Sequence, residues 1–257
     1  MAGVGSLYLV TRIAATKGRL EAVLVAVLAS FSFLLLFYAS EARGYACALF
    51  FSLLAYRYLE RYFDQGRHRT RDVIAFGASV VLGILSQLIV VLFYLPAVGW
   101  ALVRLVRTGP EARRTIARFL FAQLIPLLAL VGLYLVDLRS MTVGSGEHFG
   151  WTAVVAQTVH ALIGLPAIPW LGIVYAVALL AWLGAAVGWL ARQRDDSWIL
   201  LVGVLTAPVV ALWIAHPAVV APRYFIVAGG FFLLYSGLLW PGSRAGEELA
   251  VGSPPCF

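Results

Sequence analysis

Residues 73–103 form a run of 31 residues without a single charge, and both flanks are basic: "RHRTRD" at 67–72 and "RLVRTGPEARR" at 104–114. A helix needs about 20 apolar residues to cross a bilayer, so the run is too long for one ordinary pass. Basic residues collect on the cytoplasmic side of a membrane, so the two flanks belong on the same side. The run must then cross an even number of times. It is expected to fold back near Leu85-Ser86-Gln87 as two short passes.

Further apolar runs lie at 20–38, 45–60, 119–136, 170–191, 198–215 and 223–240, each near the length of one span. The chain is 62% hydrophobic and 12% charged, with a mean hydropathy of +0.93. Soluble domains average about 45–50% apolar and about 25% charged residues. A β-barrel would show short alternating segments instead of these continuous runs. The expected fold class is therefore an all-α polytopic membrane protein of about eight transmembrane passes. Residues 1–257 make one transmembrane domain, and 241–257 a cytoplasmic tail.

The net charge of +7 sits in short loops between apolar runs, where it orients the chain rather than binding nucleic acid. With Arg12, Lys17 and Arg19 inside and the side alternating at each pass, sixteen of the basic residues fall inside. Only Arg43, Arg139 and Arg223 fall outside. Arg outnumbers Lys eighteen to one, which points to a GC-rich, bacterial genome and a cytoplasmic (inner) membrane. Cys47 and Cys256 make no disulfide framework.

Two segments depart from the pattern. Residues 137–169 form an external loop whose second half places Gln157, His160 and Gly164 on one helical face. Pro166 and Pro169 end that helix, which is expected to lie at the membrane interface. At the N-terminus "MAGVGSLYLV" reaches its first basic residue at Arg12. Twelve helical residues rise about 18 Å, against a hydrocarbon core of about 30 Å. It reads as the last half of a transmembrane helix, and the chain as a fragment or a truncated member of its kind.

The external charges carry the functional question. In "FYASEARGYA" at 37–46, Glu41 and Arg43 stand at the mouth of the 20–38/45–60 hairpin, with Tyr45 close behind. On a continuous helix Tyr38, Glu41 and Tyr45 would share one face, whereas a break at Arg43-Gly44 would undo that geometry. In "HPAVVAPRYF" at 216–225, Arg223 and Tyr224 open the last span. Such residues also serve as interfacial anchors, Arg by snorkelling and Tyr in the aromatic belt. Two of the three external Arg residues have a Tyr beside them, however, and a guanidinium fork with phenol hydroxyls suits a phosphate. On an outer membrane face the phosphate carrier is a lipid head group. Gln87 at the fold-back and His216 are candidates for the same cavity.

Glu147 and His148 form a possible metal or acid–base pair, but they read more simply as solvated loop. His160 is taken as a structurally satisfied histidine. "GVGSL" and "GAAVG" are small-residue helix-packing patterns. No zinc spacing or phosphate loop is present, and no metal or other cofactor is expected.

"FYASEARGYACALFFSLLAYRYLER" followed by a basic loop, and "PRY" opening a late span, resemble the GT-C type integral-membrane glycosyltransferases. The closest group is the bacterial relatives of glycosyltransferase family 39, the protein mannosyltransferase-like enzymes. The resemblance runs from about Leu7 to Trp240. It implies transfer of a sugar from a polyprenyl-phosphate carrier to an acceptor on the outer face. It also implies a donor site made of Glu41, Arg43 and Tyr45, with Arg223 and Tyr224 near the lipid phosphate. Those enzymes carry their catalytic acid in the first external loop, which this sequence lacks. Glu41 is the remaining candidate for taking a proton from the acceptor. The alternatives are a non-catalytic membrane protein or pseudoenzyme and, less favoured, a transporter for a lipid-linked solute. Against the transporter, no charge falls in mid-membrane and no matched Gly/Pro-broken spans are present.

Overall fold

A computed structural model of the chain describes residues 1–41, 44–64, 69–107, 112–139, 151–164, 172–193, 195–215 and 221–239. Every regular element among them is helical. In chain order these are α1 (Ala2–Ala14), α2 (Arg19–Phe31), α3 (Phe33–Ser40), α4 (Tyr45–Asp64), α5 (Thr70–Ser86) and α6 (Val91–Arg107). They are followed by α7 (Ala112–Ala122), α8 (Leu124–Leu133), α9 (Trp151–Ile163), α10 (Gly172–Arg192), α11 (Ser197–Ala215) and α12 (Ile226–Leu238). Short 3-10 turns at Leu88–Val90 and Pro222–Phe225 lead into α6 and α12. Helices close their backbone hydrogen bonds within the segment, which apolar stretches of this kind require in lipid.

The fold-back inside 73–103 is present where the basic flanks put it. Helix α5 stops at Ser86, Gln87 is extended (φ −163°, ψ 127°), and the chain re-enters a helix at Val91. The Phe76 and Tyr94 rings then meet at 6.3 Å, although a continuous helix would hold those residues about 27 Å apart. The turn before α4 is pressed against this one. Gly44 has φ +78°, and a Cβ built there would lie 2.5 Å from the Ser86 carbonyl oxygen. Only glycine fits both the backbone angle and the approach. Because α3 ends at Ser40 and Glu41 is extended (ψ 131°), Tyr38, Glu41 and Tyr45 do not share a helical face.

The described residues account for part of the expected pass count. Among the described residues, four helical stretches are long and apolar enough to cross a membrane: Leu88–Arg107, Arg113–Val136, Val174–Arg192 and Ser197–Ile214. A fifth is added if α2 and α3, bent by 61° across Ser32, count as one span. Helix α4 has 20 residues but carries Arg57, Glu60 and Arg61 in its second half, while α1 and α12 have 13 residues each. Thirteen residues rise about 20 Å, short of the hydrocarbon core. Hydropathy alone counts runs of apolar residues; the structure breaks several of them with turns and charges.

Helix α4 packs against α1, α5, α6 and α12 and lies at the centre of an aromatic core. Tyr56 meets Phe231 at 5.4 Å, Phe231 stacks on Phe93 at 5.2 Å, and Trp100 contacts Phe63 at 5.5 Å. Small residues admit close helix contact, as expected where lipid is as apolar as the side chains. In "GVGSL" a Cβ on Gly3 would come within 2.9 Å of Ala39, and one on Gly5 within 2.8 Å of the Phe50 ring. Among the described residues, nothing lies within 4 Å of a Cβ built on the "GAAVG" glycines Gly184 and Gly188.

Helix α9 occupies the segment expected to be an interfacial helix. The Gly/Ser-rich part of the external loop with Glu147 and His148, the two prolines at 166 and 169, and the tail 241–257 lie outside the described residues.

Candidate functional site

Residues that the charge count assigns to the outside converge at one end of the bundle. A cavity of about 910 Å³ opens there, and its wall includes Tyr45, Gln87, Arg223 and Tyr224. Three separate stretches of sequence supply them. The remaining lining is apolar and comes from the 3-10 turn at Leu88–Val90, α6, α8 and α11, apart from Tyr134 just after α8.

Each side chain is held by a local feature. Gly44 turns the chain so that Tyr45 begins α4, and Tyr45 is buried. Gln87 is the extended residue at the fold-back, against which the Gly44 backbone packs. Pro222 opens the 3-10 turn that carries Arg223 and Tyr224, a position where its fixed φ and missing N–H cost nothing.

Arg223 is half-buried. Its Cζ lies 5.5 Å from the Tyr224 ring centre, a cation–π distance, and its side chain hydrogen-bonds that of Tyr224. Among the described residues it forms no salt bridge. Tyr38 completes the surroundings. Its ring meets Tyr45 edge-on at 5.2 Å, and its hydroxyl is within hydrogen-bonding reach of the Arg223 backbone. The Glu41 carboxylate acts on Tyr38, yet Glu41 is not among the residues lining the cavity.

Thus five of the seven residues singled out from sequence are described, and four of them share one cavity. Arg43 and His216 lie outside the described residues. Sequence reasoning missed Tyr134, which no charge or motif marks within "GLYLVDLR". It also treated Tyr38 only as a helical neighbour of Glu41, whereas the structure packs it between Tyr45 and the Arg223 backbone.

A half-buried guanidinium without a carboxylate partner, rimmed by phenol hydroxyls and opening onto an apolar cavity, is suited to an anion attached to an apolar group. The fork supplies charge and directed N–H donors, and the apolar wall accepts what the anion is attached to. Comparison with protein-family models, curated proteins and solved structures finds no match to this chain.

Proposed function

We propose that the chain is a membrane-embedded glycosyltransferase of the GT-C type that binds a polyprenyl-phosphate sugar in the 910 Å³ cavity. In this reading the phosphate lies against Arg223 and Tyr224, with Tyr45 and Gln87 along the sugar-bearing side. The observation that carries it is the convergence of those four side chains, from three separate stretches, on one cavity whose cation, Arg223, has no ion-pair partner among the described residues. The same cavity offers apolar surface for the first isoprene units of the carrier.

In the transfer step the bond between the sugar C1 and the phosphate oxygen breaks, and the oxygen leaves with the electron pair as polyprenyl phosphate. The acceptor hydroxyl oxygen forms the new bond to C1, and its proton passes to a carboxylate. Glu41 is the candidate for that carboxylate. Its position off the cavity wall supports the binding half of the reading more strongly than the chemical half. The proposal extends to the bacterial inner membrane as its location and to about eight passes as its full topology.

The test is a pair of measurements on the full chain in lipid nanodiscs, using a radiolabelled polyprenyl-phosphate hexose. Saturable binding that Arg223→Ala abolishes, with transfer that Glu41→Gln abolishes, is the expected result. Binding without transfer selects the non-catalytic alternative. No saturable binding removes both.

A further inference from the structure

Helices α7 and α8 run on as one stretch, Arg113–Val136, most of which is not buried inside the bundle. The part that is buried sets its rotation. Phe119, Gln123 and Pro126 are buried, at steps of four and three residues that make one helical stripe. The Phe119 ring lies 6.2 Å from that of Tyr62 and 6.4 Å from that of Phe76. A Cβ built on Gly77 would lie 3.7 Å from the Pro126 ring. The stripe therefore docks on α4 and α5, and the far side of the helix is turned away from the bundle.

Arg114, Arg118, Phe121, Ile125 and Leu128 fall on that far side, and all five are exposed. Their spacing again alternates between four and three residues, so they form one ridge with two guanidinium groups at its top. From Arg118 to Leu128 a helix rises about 15 Å, half of a hydrocarbon core of about 30 Å. The ridge thus has the length of one leaflet, and snorkelling lets its cations reach the head-group level.

Loop charge orients a membrane chain, but it does not dictate which face of a helix the arginines occupy. Nor do they serve the helix itself. Its dipole disfavours cations in the first turn, where Arg113 and Arg114 sit with no acid beside them. Other cations at this end of the bundle are engaged. Arg107 bonds Asp196, Arg71 lies 3.9 Å from Asp72, and Arg104 covers Phe63 and Trp100. Arg114 and Arg118 form no salt bridge among the described residues. Arg118 is within electrostatic reach of the Tyr62 phenol, which places it at the edge of the bundle.

We propose that this ridge binds an anionic phospholipid of the leaflet at the basic end of the bundle. The phosphate lies between Arg114 and Arg118, which stand one turn apart and converge on it, and an acyl chain runs down Phe121, Ile125 and Leu128. Guanidinium forks suit phosphate oxygens, and each basic residue near a membrane surface adds to the attraction for anionic lipid. A soluble acidic partner would match the arginines but not the leaflet-length apolar ridge below them. No residue of the ridge lines the 910 Å³ cavity, so this proposal stands or falls independently of the transferase reading.

The test is native mass spectrometry of the full chain, released from micelles that hold equal amounts of phosphatidylglycerol and phosphatidylcholine with the same acyl chains. Phosphatidylglycerol is expected to be retained in preference. Arg114→Gln and Arg118→Gln should each reduce that preference about fivefold, the scale of one basic residue at an anionic surface. Arg113→Gln removes the same charge one position away, off the ridge, and should change the preference by less than about twofold. All three positions are exposed, so the variants are expected to melt like the unmodified chain. Equal losses from all three variants would show a diffuse positive field and overturn the proposal. So would equal retention of the two lipids by the unmodified chain. Displacement of phosphatidylglycerol by glycerol phosphate, which carries the anion without the chains, would overturn it as well.

Discussion

At the end of the bundle that carries most of the basic residues, several cations are paired or covered. Arg107 bonds Asp196, Arg57 lies 3.6 Å from Glu60, and Arg104 sits over Phe63 and Trp100 at 4.8 and 5.2 Å. At the opposite end Arg223 meets a ring and hydroxyls but no carboxylate among the described residues. The same side-chain type serves two purposes. Paired at a helix end, Arg fixes which loops sit together: Arg107 and Asp196 tie the end of α6 to the start of α11. Arg223 stands beside a cavity instead, with no counter-charge among the described residues.

Substitutions can break that contrast, and the largest effect is expected where the outer end is built. Gly44→Val sets a branched side chain against the Ser86 carbonyl at a positive φ, and should cost about 4 kcal/mol through backbone strain and overpacking. Thermal unfolding in detergent checks this, and an unchanged midpoint would mean that the two outer turns are not in contact. Next comes Trp100→Ala in the buried aromatic cluster, expected to cost about 3 kcal/mol from the void left behind. It should leave phosphate binding at the outer end intact.

Arg223→Ala should show the reverse pattern. Affinity for a polyprenyl phosphate is expected to fall by about 2 kcal/mol, close to thirtyfold, as a charge-assisted contact is lost. Stability should move by less than about 0.5 kcal/mol, as at other surface positions. Isothermal titration beside a melting curve separates the two quantities, and a large stability loss would recast Arg223 as an anchor. The smallest effect belongs to Arg107→Ala. Its side chain is 57% exposed, and exposed ion pairs contribute about 0–1 kcal/mol. Its shift in melting temperature should nearly vanish as salt is raised.

Legibility in the sequence followed what each feature depends on. The fold-back at Ser86-Gln87 could be read because matched basic flanks are a local and countable signal. The outer grouping of Tyr45, Gln87, Arg223 and Tyr224 could be read because topology alone assigns each to the same side. The bend at Ser32 could not. "VLASFSFLLL" carries neither Gly nor Pro, and the break coincides with a tertiary contact between Phe31 and Gly164, far apart in sequence. The lengths of individual passes were hard to read for a related reason. Hydropathy treats 223–240 as one span, but the structure spends Pro222–Phe225 on a tight turn and leaves 13 residues for α12.

Helix α3 has only eight residues and is set off from α2 by the bend at Ser32. Its rings line a cavity of about 470 Å³, and its Tyr38 braces Tyr45 at the edge of the 910 Å³ one. A ligand that displaces this short rod from one side also moves the surface presented on the other. Any such influence is reciprocal: whatever factor one occupant imposes on the second affinity, the second imposes on the first.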